Sequence, residues 1–515
     1  NLYWLPKLYH KENPNLLEIF SEKICIDQYP GPESWVDLGL QINNLVETDL
    51  AHIQENFNQK LPYYISEFLG ISISAVQAVD HHTSHAYYAH SVSNPELKDL
   101  LVFTNDGWGD GRNATVSQLV FSKASTLSLT EINSSSASIL ARVYRYMTLM
   151  LGMKPSEHEF KVMGLAAFGK SEYSDNIQRI FNSAMTVENG VFLRNSEIKD
   201  SYKWFRDNFE GERFDNIAFG LQSWLEDSLL KWVQFWVNKT GISNIAFAGG
   251  VAMNVKAMGI LNEQDWIQSI AVPPSSGDES HIFGAFYAYL ASQDKLSADK
   301  FPIYKTTYTG YQSDQTELNE IKKLAHIDGF IIKDNPSPND VAQFLASGNT
   351  LSICRSKAEF GARALGNRSI MLDPTLTPAK EKLNLSIKNR DFWMPFAPII
   401  LDTYAKQYLY SSDKSPSPYM ALSFKTTESG YCDLLSAVHA GDKTCRAQIL
   451  EKSYNEYVYE MLLCFSKYTG RGGLLNTSFN VHGAPIVNSI TDSYLIFKST
   501  PLDGLLSDQY LLIKP

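Results

Sequence analysis

The chain has 515 residues and a net charge of −11, with 44% hydrophobic and 20% charged residues. This length exceeds what one hydrophobic core usually supports, so we expect an ordinary globular protein of two or more domains. The acidic balance argues against nucleic acid as the main partner, and the absence of any apolar run of ~20 residues argues against a membrane.

Cysteine usage and the start of the chain bear on the compartment. The five cysteines are scattered without a CxxC pair, which suits a reducing environment and argues against a disulfide scaffold or a zinc finger. The first residues, NLYWLPKLYHKENPN, have neither the apolar core nor the cleavage pattern of a signal peptide. The sequence therefore predicts a cytoplasmic protein.

The first predicted elements surround a run of histidines. Residues 71–80 are predicted to form a short strand that leads into a helix with the sequence HHTSHAYYAH. His81 and His85 would project from the same face of that helix. Asp106 follows the apolar strand LLVFT and opens a glycine-rich turn, DGWGDG, which we expect to belong to a β-hairpin.

These residue types favour a metal site. Two imidazoles at helical spacing and a carboxylate at the end of a buried strand would form a nitrogen and oxygen cage for a divalent transition metal. An HxxxH pair also arises by chance, and helical histidines are often packed or surface-exposed. Convergence of the two histidines with Asp106 would favour the metal site.

Three later segments indicate nucleotide binding. The segment EHEFKVMGLAAFGK places Lys161 where it could contact phosphate, although a structural helix that carries one lysine fits equally well. In NIAFAGGVAMNV a strand is followed by Gly249, Gly250 and a helix, whose first N–H groups could hold a nucleotide. Asp278 lies in a second glycine-containing loop before a helix. Together these turns predict a nucleotide cleft between two lobes.

A polar segment with a proline, residues 291–305, predicts the domain boundary. Beyond it, basic side chains recur beside Gly, Asn and Ser, which suits an anion site because guanidinium groups match phosphate geometry. A set of solvated surface charges fits the same pattern, and both interpretations stay open. The residues concerned are Arg363, Arg368, Lys388, Arg390 and Arg446.

Eight motifs occur in an order that resembles the carbamoyltransferase family, which includes tobramycin, cephem and nodulation-factor carbamoyltransferases. The resemblance covers the chain from about Val79 to its end. The motifs are HHTSH, DGWGDG, EFKVMGLAAFG, AGGVAMN, GDES, EFGARALGNRS, MPFAP and LLNTSFNVHGAPIV.

The resemblance implies an α/β protein of two domains. Residues 1–300 would form an actin-like ATPase domain related to the threonylcarbamoyl transferases. Residues 301–515 would form a YrdC-like α/β domain related to the threonylcarbamoyl-adenylate synthases. The second domain would make carbamoyladenylate from carbamoyl phosphate and ATP with Mg. The first would transfer the carbamoyl group to a hydroxyl, or less readily an amine, of a small-molecule natural product. A homodimer is compatible with this organisation.

The resemblance also implies the site residues. The ligands of Fe(II) or a similar divalent metal would be His81, His85, Asp106 and Asp278. Nucleotide contacts in the first domain would be Lys161, Gly249, Gly250 and Asn254. The adenylate-forming residues would be Arg363, Lys388, Arg446, Asn476 and Ser478.

Two features depart from the family pattern. Family members usually begin with a Gly-containing hairpin and an early histidine and lysine that contact phosphates, which residues 1–60 do not show. Either those residues precede Asn1 or the contact is lost in this protein. Ala362 stands where the arginine loop typically has proline, and we expect a small effect because proline acts mainly on the unfolded chain.

Other classes account for less of the sequence. A metallopeptidase would need the glutamate of HExxH, which is missing. A hydrogenase-maturation carbamoyltransferase would need paired CxxC motifs. An actin-like sugar kinase would leave the C-terminal third without a role. A non-catalytic nucleotide-binding scaffold would have no use for metal ligands and anion binders together.

Overall fold

The computed structural model describes residues 62–63, 65–94, 96–121, 127–170, 172, 175–293 and 307–515. The first half is built on a five-stranded sheet of order β3-β2-β1-β6-β7. Its strands are β1 (Leu101–Gly109), β2 (Arg112–Phe121), β3 (Leu127–Ser135), β6 (Asn244–Ala248) and β7 (Ser269–Ala271), and a separate hairpin pairs β4 (Met185–Glu188) with β5 (Val191–Arg194).

The strand β1 lies in the middle of this sheet. Its first five residues are buried, as expected for a strand covered on both faces. It pairs antiparallel with β2 and parallel with β6, so the predicted hairpin is confirmed. The predicted strand at 71–80 is wrong. That segment holds a short 3-10 helix, Ile73–Ala75, capped by the hydroxyl of Ser72, and serine favours such caps over a strand.

Within the described residues, helices pack around this sheet. The longest, α6, carries buried tryptophans such as Trp224 and Trp232 and ends at Gly241, whose φ of 74° suits a glycine C-cap. The helices are α1 (His81–Ser91), α2 (Leu140–Met150), α3 (Glu159–Leu165), α4 (Asp175–Ala184), α5 (Ser201–Phe209), α6 (Phe214–Thr240), α7 (Val255–Glu263) and α8 (His281–Ser292).

The second half is built on an eight-stranded mixed sheet of order β14-β11-β15-β10-β9-β16-β17-β8. Its strands are β8 (Ile331–Asp334), β9 (Leu351–Cys354), β10 (Arg368–Leu372), β11 (Ala397–Leu401), β14 (Gln448–Leu450), β15 (Gly473–Ser478), β16 (Gly504–Leu506) and β17 (Tyr510–Ile513), and a small hairpin pairs β12 (Phe424–Lys425) with β13 (Thr444–Cys445).

Seven α-helices accompany these strands. They are α9 (Gln315–Ile327), α10 (Pro338–Ala346), α11 (Thr377–Leu383), α12 (Ala405–Tyr408), α13 (Glu428–Asp433), α14 (Glu456–Thr469) and α15 (Ile490–Ser499). One turn of π-helix, Asn384–Lys388, extends α11 and ends at Asn389 in the left-handed region. Such turns often occur at functional sites, and this one carries Lys388.

The two halves share one hydrophobic core. Phe103 and Trp232 of the first half belong to the same buried cluster as Ile400, Tyr408 and Phe424 of the second. The predicted α/β class is confirmed by the two mixed sheets and their helices. The predicted boundary between residues 300 and 301 lies outside the described residues. None of the helices in the described ranges is long and apolar enough to cross a membrane.

Candidate active site

The helix α1 sets the orientation of the histidine run. Its N-cap, Asp80, accepts a hydrogen bond from Thr83 N at 2.8 Å, and the backbone N–H of His81 donates to Asp110 Oδ2 at 2.7 Å. These bonds satisfy free N–H groups of the first turn and attach it to the β1–β2 hairpin. His82 points elsewhere: its ring nitrogens contact Thr104 Oγ1 and Arg112 O, so it has a structural role.

All four predicted metal ligands converge. His85 Nε2 lies 3.0 Å from Asp106 Oδ2 and 3.5 Å from Asp278 Oδ1. His81 Nε2 lies 3.5 Å and 3.8 Å from the same two oxygens. The end of β1 packs directly beneath His81, since a Cβ added at Gly109 would overlap the imidazole ring. The close approach of backbone and ring therefore requires glycine at the strand end.

A fifth side chain, His281, joins this group and was missed by the sequence reasoning. It is the first residue of α8, three positions after Asp278, and its Nε2 lies 3.0 Å from His85 Nε2. The ligand atoms of His81, His85, Asp278 and His281 all lie within 4.8 Å of one another. The available signal was the i, i+3 spacing of Asp278 and His281, which places both on one face of a helical turn.

The electrostatics of this cluster follow from burial and proximity. Burial opposes protonation of His85, but Asp106 and Asp278 outweigh it and raise its pKa to about 9. Burial also opposes ionisation of Asp106, yet the adjacent imidazoles of His81 and His85 hold its pKa well below the usual range. For His281, burial and then the neighbouring His85 and His81 lower the pKa to about 3.

The donor set fits a divalent transition metal. Imidazole nitrogens and carboxylate oxygens are the ligands such cations take. Within the described part of the chain, His81 Nε2 and His85 Nδ1 are buried without a hydrogen-bond partner, and a buried polar atom in that state calls for a ligand or an ion. His81, His85, Asp106 and Asp278 are therefore placed to hold such a cation.

Two of the predicted nucleotide residues, Gly249 and Gly250, lie beside this cluster. Gly249 has a φ of 89°, and a Cβ there would overlap Asn105 O. A Cβ at Gly250 would come within 3.1 Å of Asp106 Oδ1. Asn254 caps α7 through Ala257 N and exchanges hydrogen bonds with Gln222. The glycine turn thus packs against the strand end that carries Asp106.

Lys161 lies on α3, away from these glycines in sequence but facing the second half of the chain. Its Nζ lies 3.0 Å from Asp391 Oδ2, and both side chains are half-buried. The lysine predicted to contact phosphate therefore forms an ion pair between the halves. A nucleotide phosphate at this lysine would have to share it with the Asp391 carboxylate.

Three arginines of the second half form a cationic cluster. Burial lowers the pKa of Arg363 to about 10, and burial with the nearby Arg363 lowers that of Arg390 to about 10. The pKa of Arg446 is depressed further, by burial and by both other guanidinium groups. Among the described residues no carboxylate pairs with any of the three, and the buried Nε of Arg446 has no hydrogen-bond partner. The cluster is an unbalanced positive site.

Lys388 lies next to Arg390 at the edge of this cluster. Burial, and secondly Arg390, lower its pKa to about 6. Its Nζ donates to Asn480 Oδ1 at 2.6 Å, Asn480 O at 3.0 Å and Ser478 Oγ at 3.2 Å, and to Ser478 O. Arg390 is held by Pro395 O and by Thr477 Oγ1, both at 3.0 Å. Thr477 and Asn480 were not predicted as site residues, although both lie in the LLNTSFN motif.

The two remaining predicted residues lie on β15. Ser478 Oγ donates to Asn480 Oδ1 at 2.8 Å. Asn476 Nδ2 donates to Ala364 O at 3.0 Å, while its buried Oδ1 finds no partner within the described residues. The sheet therefore presents hydroxyl and amide groups beside the cationic cluster.

Arg368 does not belong to this cluster. It is 1% exposed, and its five N–H donors all go to main-chain carbonyls, which include those of Asn488 and Tyr311. The anion-site interpretation of Arg368 is therefore replaced by a structural one, because an arginine has five donors and all are used.

Glu359 supports the same loop. Its Oε1 accepts hydrogen bonds from the N–H groups of Leu365, Asn367 and Arg368, so it holds the GARALGNR turn in place.

Arg363 lies between the two sites. It lines a cleft with Pro273, Pro274 and Ser276, the loop that precedes Asp278. It also lines a cavity of about 130 Å³ within the second half, together with Glu359 and Asn488. Arg363 thus contacts both the cavity of the second half and the loop that leads to Asp278.

Comparison with known proteins agrees with this architecture. Residues 43–287 match the carbamoyltransferase N-terminus family, and residues 342–514 match the carbamoyltransferase C-terminus family. The chain belongs to the carbamoyltransferase family, as the motifs predicted.

Several proteins are similar to it over much of their length. An uncharacterised protein of Methanocaldococcus jannaschii is 32% identical over 475 residues, which cover 90% of this chain and 85% of that protein. Nodulation protein NolNO of Sinorhizobium fredii is 30% identical over 457 residues, 86% of this chain and 64% of that protein. Nodulation protein U of Rhizobium tropici is 28% identical over 272 residues, 52% of this chain and 44% of that protein.

Proposed function

We propose that this protein is an ATP-dependent O-carbamoyltransferase that uses carbamoyl phosphate and acts on a hydroxyl of a small-molecule natural product. The observation that carries the proposal is the cluster of Arg363, Arg390 and Arg446, which are half-buried and have no carboxylate partner among the described residues. Like charges gathered in a protein interior are costly. A bound polyanion such as ATP or carbamoyl phosphate would neutralise them.

The proposal assigns one task to each half. Residues 301–515 would be the YrdC-like domain that forms the adenylate, and residues 1–300 the actin-like domain that transfers the carbamoyl group. Support comes from the separate matches of the two halves to the N- and C-terminal parts of one family. The glycine turn beside Asp106 and the lysine on α3 are consistent with a nucleotide site in the first half.

Adenylate formation follows from the charges in the cationic cluster. Water releases inorganic phosphate and carbamate from carbamoyl phosphate. A carbamate oxygen then attacks the α-phosphorus of ATP, the bond to the β-phosphate breaks, and pyrophosphate leaves. The guanidinium groups and Lys388 would stabilise the charge that builds up on the phosphate oxygens, since they are fixed in a site from which water is largely excluded.

Transfer would take place at the histidine cluster. The acceptor hydroxyl attacks the carbonyl carbon of the adenylate, the bond to AMP breaks, and the hydroxyl proton is lost. A divalent cation such as Fe(II), held by His81, His85, Asp106 and Asp278, would supply Lewis-acid polarisation of the carbonyl. The cleft at Arg363 adjoins the loop before Asp278, which supports passage of the activated group from one half to the other.

Pyrophosphate release from MgATP tests the proposal. We expect release to depend on carbamoyl phosphate, and Arg446→Ala to reduce its rate by about 100-fold or more, the loss typical of removing one transition-state donor. His85→Ala should leave release intact and stop carbamoyl transfer. Arg206→Ala serves as the matched control, because Arg206 is an exposed arginine of α5.

A different pattern of pyrophosphate release would refute the assignment of separate reactions to the two halves. If Arg446→Ala and His85→Ala lost pyrophosphate release equally, the two halves would not have separate tasks. If no pyrophosphate were released in the presence of carbamoyl phosphate, the protein would not form the adenylate, and ADP formation would then distinguish a kinase from a nucleotide-binding scaffold. A mass-spectrometric screen of hydroxyl- and amine-bearing acceptors for carbamoyl addition identifies the acceptor class.

A further inference from the structure

His281 faces the two predicted histidine ligands at close range. Its Nε2 faces His85 Nε2 at 3.0 Å, and its ring lies 4.3 Å from the rings of both His81 and His85. Two imidazole nitrogens at this distance share either one proton or one cation. Its other charged neighbours are Asp278, whose Oδ1 lies 4.0 Å away, and the more distant Asp106.

The packing of two helices imposes this position. At Gly284, one turn beyond His281 on α8, an added Cβ would overlap the backbone oxygen of Ser84 on α1. Because Ser84 adjoins His85, this contact between helices brings the start of α8 against the histidine face of α1. His281 is therefore held by backbone contact and does not depend on a flexible loop.

We infer that His281 is a third imidazole ligand of the cation site and shifts its preference toward late first-row metals. With His81, His85 and Asp278 it makes a set of three nitrogens and one oxygen, with Asp106 beside it. Imidazole-rich sites favour iron, cobalt, nickel and zinc, whereas Mg²⁺ and Mn²⁺ prefer oxygen ligands. The inference rests on the proposed metal site and adds a residue and a selectivity to it.

The test counts ligands directly. The full-length protein is loaded with Co(II) or Zn(II), and X-ray absorption of the bound metal gives the number of imidazoles. We expect three in the wild type and two in His281→Ala and His281→Gln. Co(II) affinity should fall by about 100-fold or more in both variants, at least the largest loss seen when a supporting group is removed. Mg²⁺ should not displace Co(II) from the wild type.

Exposed His326 on α9 provides the control, since His326→Ala removes a histidine far from the cluster and should leave Co(II) affinity unchanged. If His281→Ala fails to fold, the imidazole count of the wild type still decides. Two imidazoles in the wild type, or an unchanged affinity in a folded His281 variant, would overturn the inference while leaving the metal site standing. A wild type that binds no Co(II) would overturn the metal site as well. Loss of pyrophosphate release would affect only the proposed adenylate chemistry.

Discussion

At the scale of residues, the protein gathers guanidinium groups that repel one another, an arrangement that costs folding free energy. Arg363, Arg390 and Arg446 gather without a countercharge among the described residues, whereas Arg368 nearby has every donor satisfied by a carbonyl. The contrast separates a structural arginine from arginines available to a ligand. Buried, unpaired charge of this kind is concentrated at functional sites.

The depressed pKa of Lys388 predicts that the free energy of unfolding depends on pH. Its pKa is about 6 in the folded protein and about 10.4 in an unfolded chain. Between these values the unfolded state holds one more proton, so stability rises with pH. We expect the free energy of unfolding of the wild type, relative to Lys388→Met, to increase by about 1.4 kcal/mol per pH unit from pH 7 to 9.

Urea unfolding of both proteins at pH 7, 8 and 9 measures this difference. Lys231→Met is the matched control, because Lys231 is an exposed lysine of α6 and should give no pH-dependent difference. Parallel curves for the wild type and Lys388→Met would mean that the four oxygens around Nζ keep Lys388 protonated in the folded state.

At the scale of elements, glycines determine how closely the site-bearing segments approach. Gly109 lets the end of β1 lie beneath His81, Gly249 lets the turn after β6 contact Asn105, and Gly284 lets α8 contact α1. At each of these glycines, the backbone lies against another backbone segment or a ring, in space that a Cβ would otherwise occupy. The geometry of the metal cluster therefore depends on glycines, which have no side chain that could bind a metal.

Gly284→Ala tests this dependence. The new methyl group would overlap Ser84 O, so α8 must shift away from α1 and draw His281 from His85. We expect a loss of about 1–3 kcal/mol in stability, as for other overpacked sites, together with weaker Co(II) binding. Thermal unfolding and metal titration measure the two effects.

The matched control is Gly107→Ala, which lies in the same region with open space around the added methyl. It should change neither stability nor metal binding appreciably. Equal behaviour of the two variants would show that the contact between α1 and α8 does not position the histidines.

At the scale of the whole molecule, the two halves are joined through core and polar contacts. Lys256 pairs with Asp442, and His439 Nε2 donates to Gly164 O at 3.0 Å, so the loop before Arg446 is attached to α3. The shared core includes Phe103 from one half and Tyr408 from the other. A continuous core and buried polar contacts favour cooperative unfolding.

Scanning calorimetry of the full chain should therefore show one transition, with equal calorimetric and van't Hoff enthalpies. Asp442→Asn should lower its midpoint without splitting it, because the apolar core still joins the halves. Glu172→Gln, an exposed carboxylate near Lys170, is the control and should leave the midpoint unchanged. Two separated transitions in the wild type would contradict a shared core.

The sequence by itself determined the α/β class, the family, and the convergence of His81 and His85 with Asp106 and Asp278. The α/β class and the approach of His81 and His85 to Asp106 follow from local patterns, namely helical spacing and the end of an apolar strand. The family and the role of Asp278 follow from the resemblance of eight motifs to a known family. The Arg363, Lys388 and Arg446 motifs also predicted a cationic pocket, which the described structure contains.

Only the tertiary structure decided which side chains meet. His281 lies 196 positions from His85 and reaches it because α8 packs on α1. Lys161 faces Asp391, and Arg368 is saturated by carbonyls from three separate segments. Such contacts depend on how distant elements pack, and no periodicity along the chain records that packing.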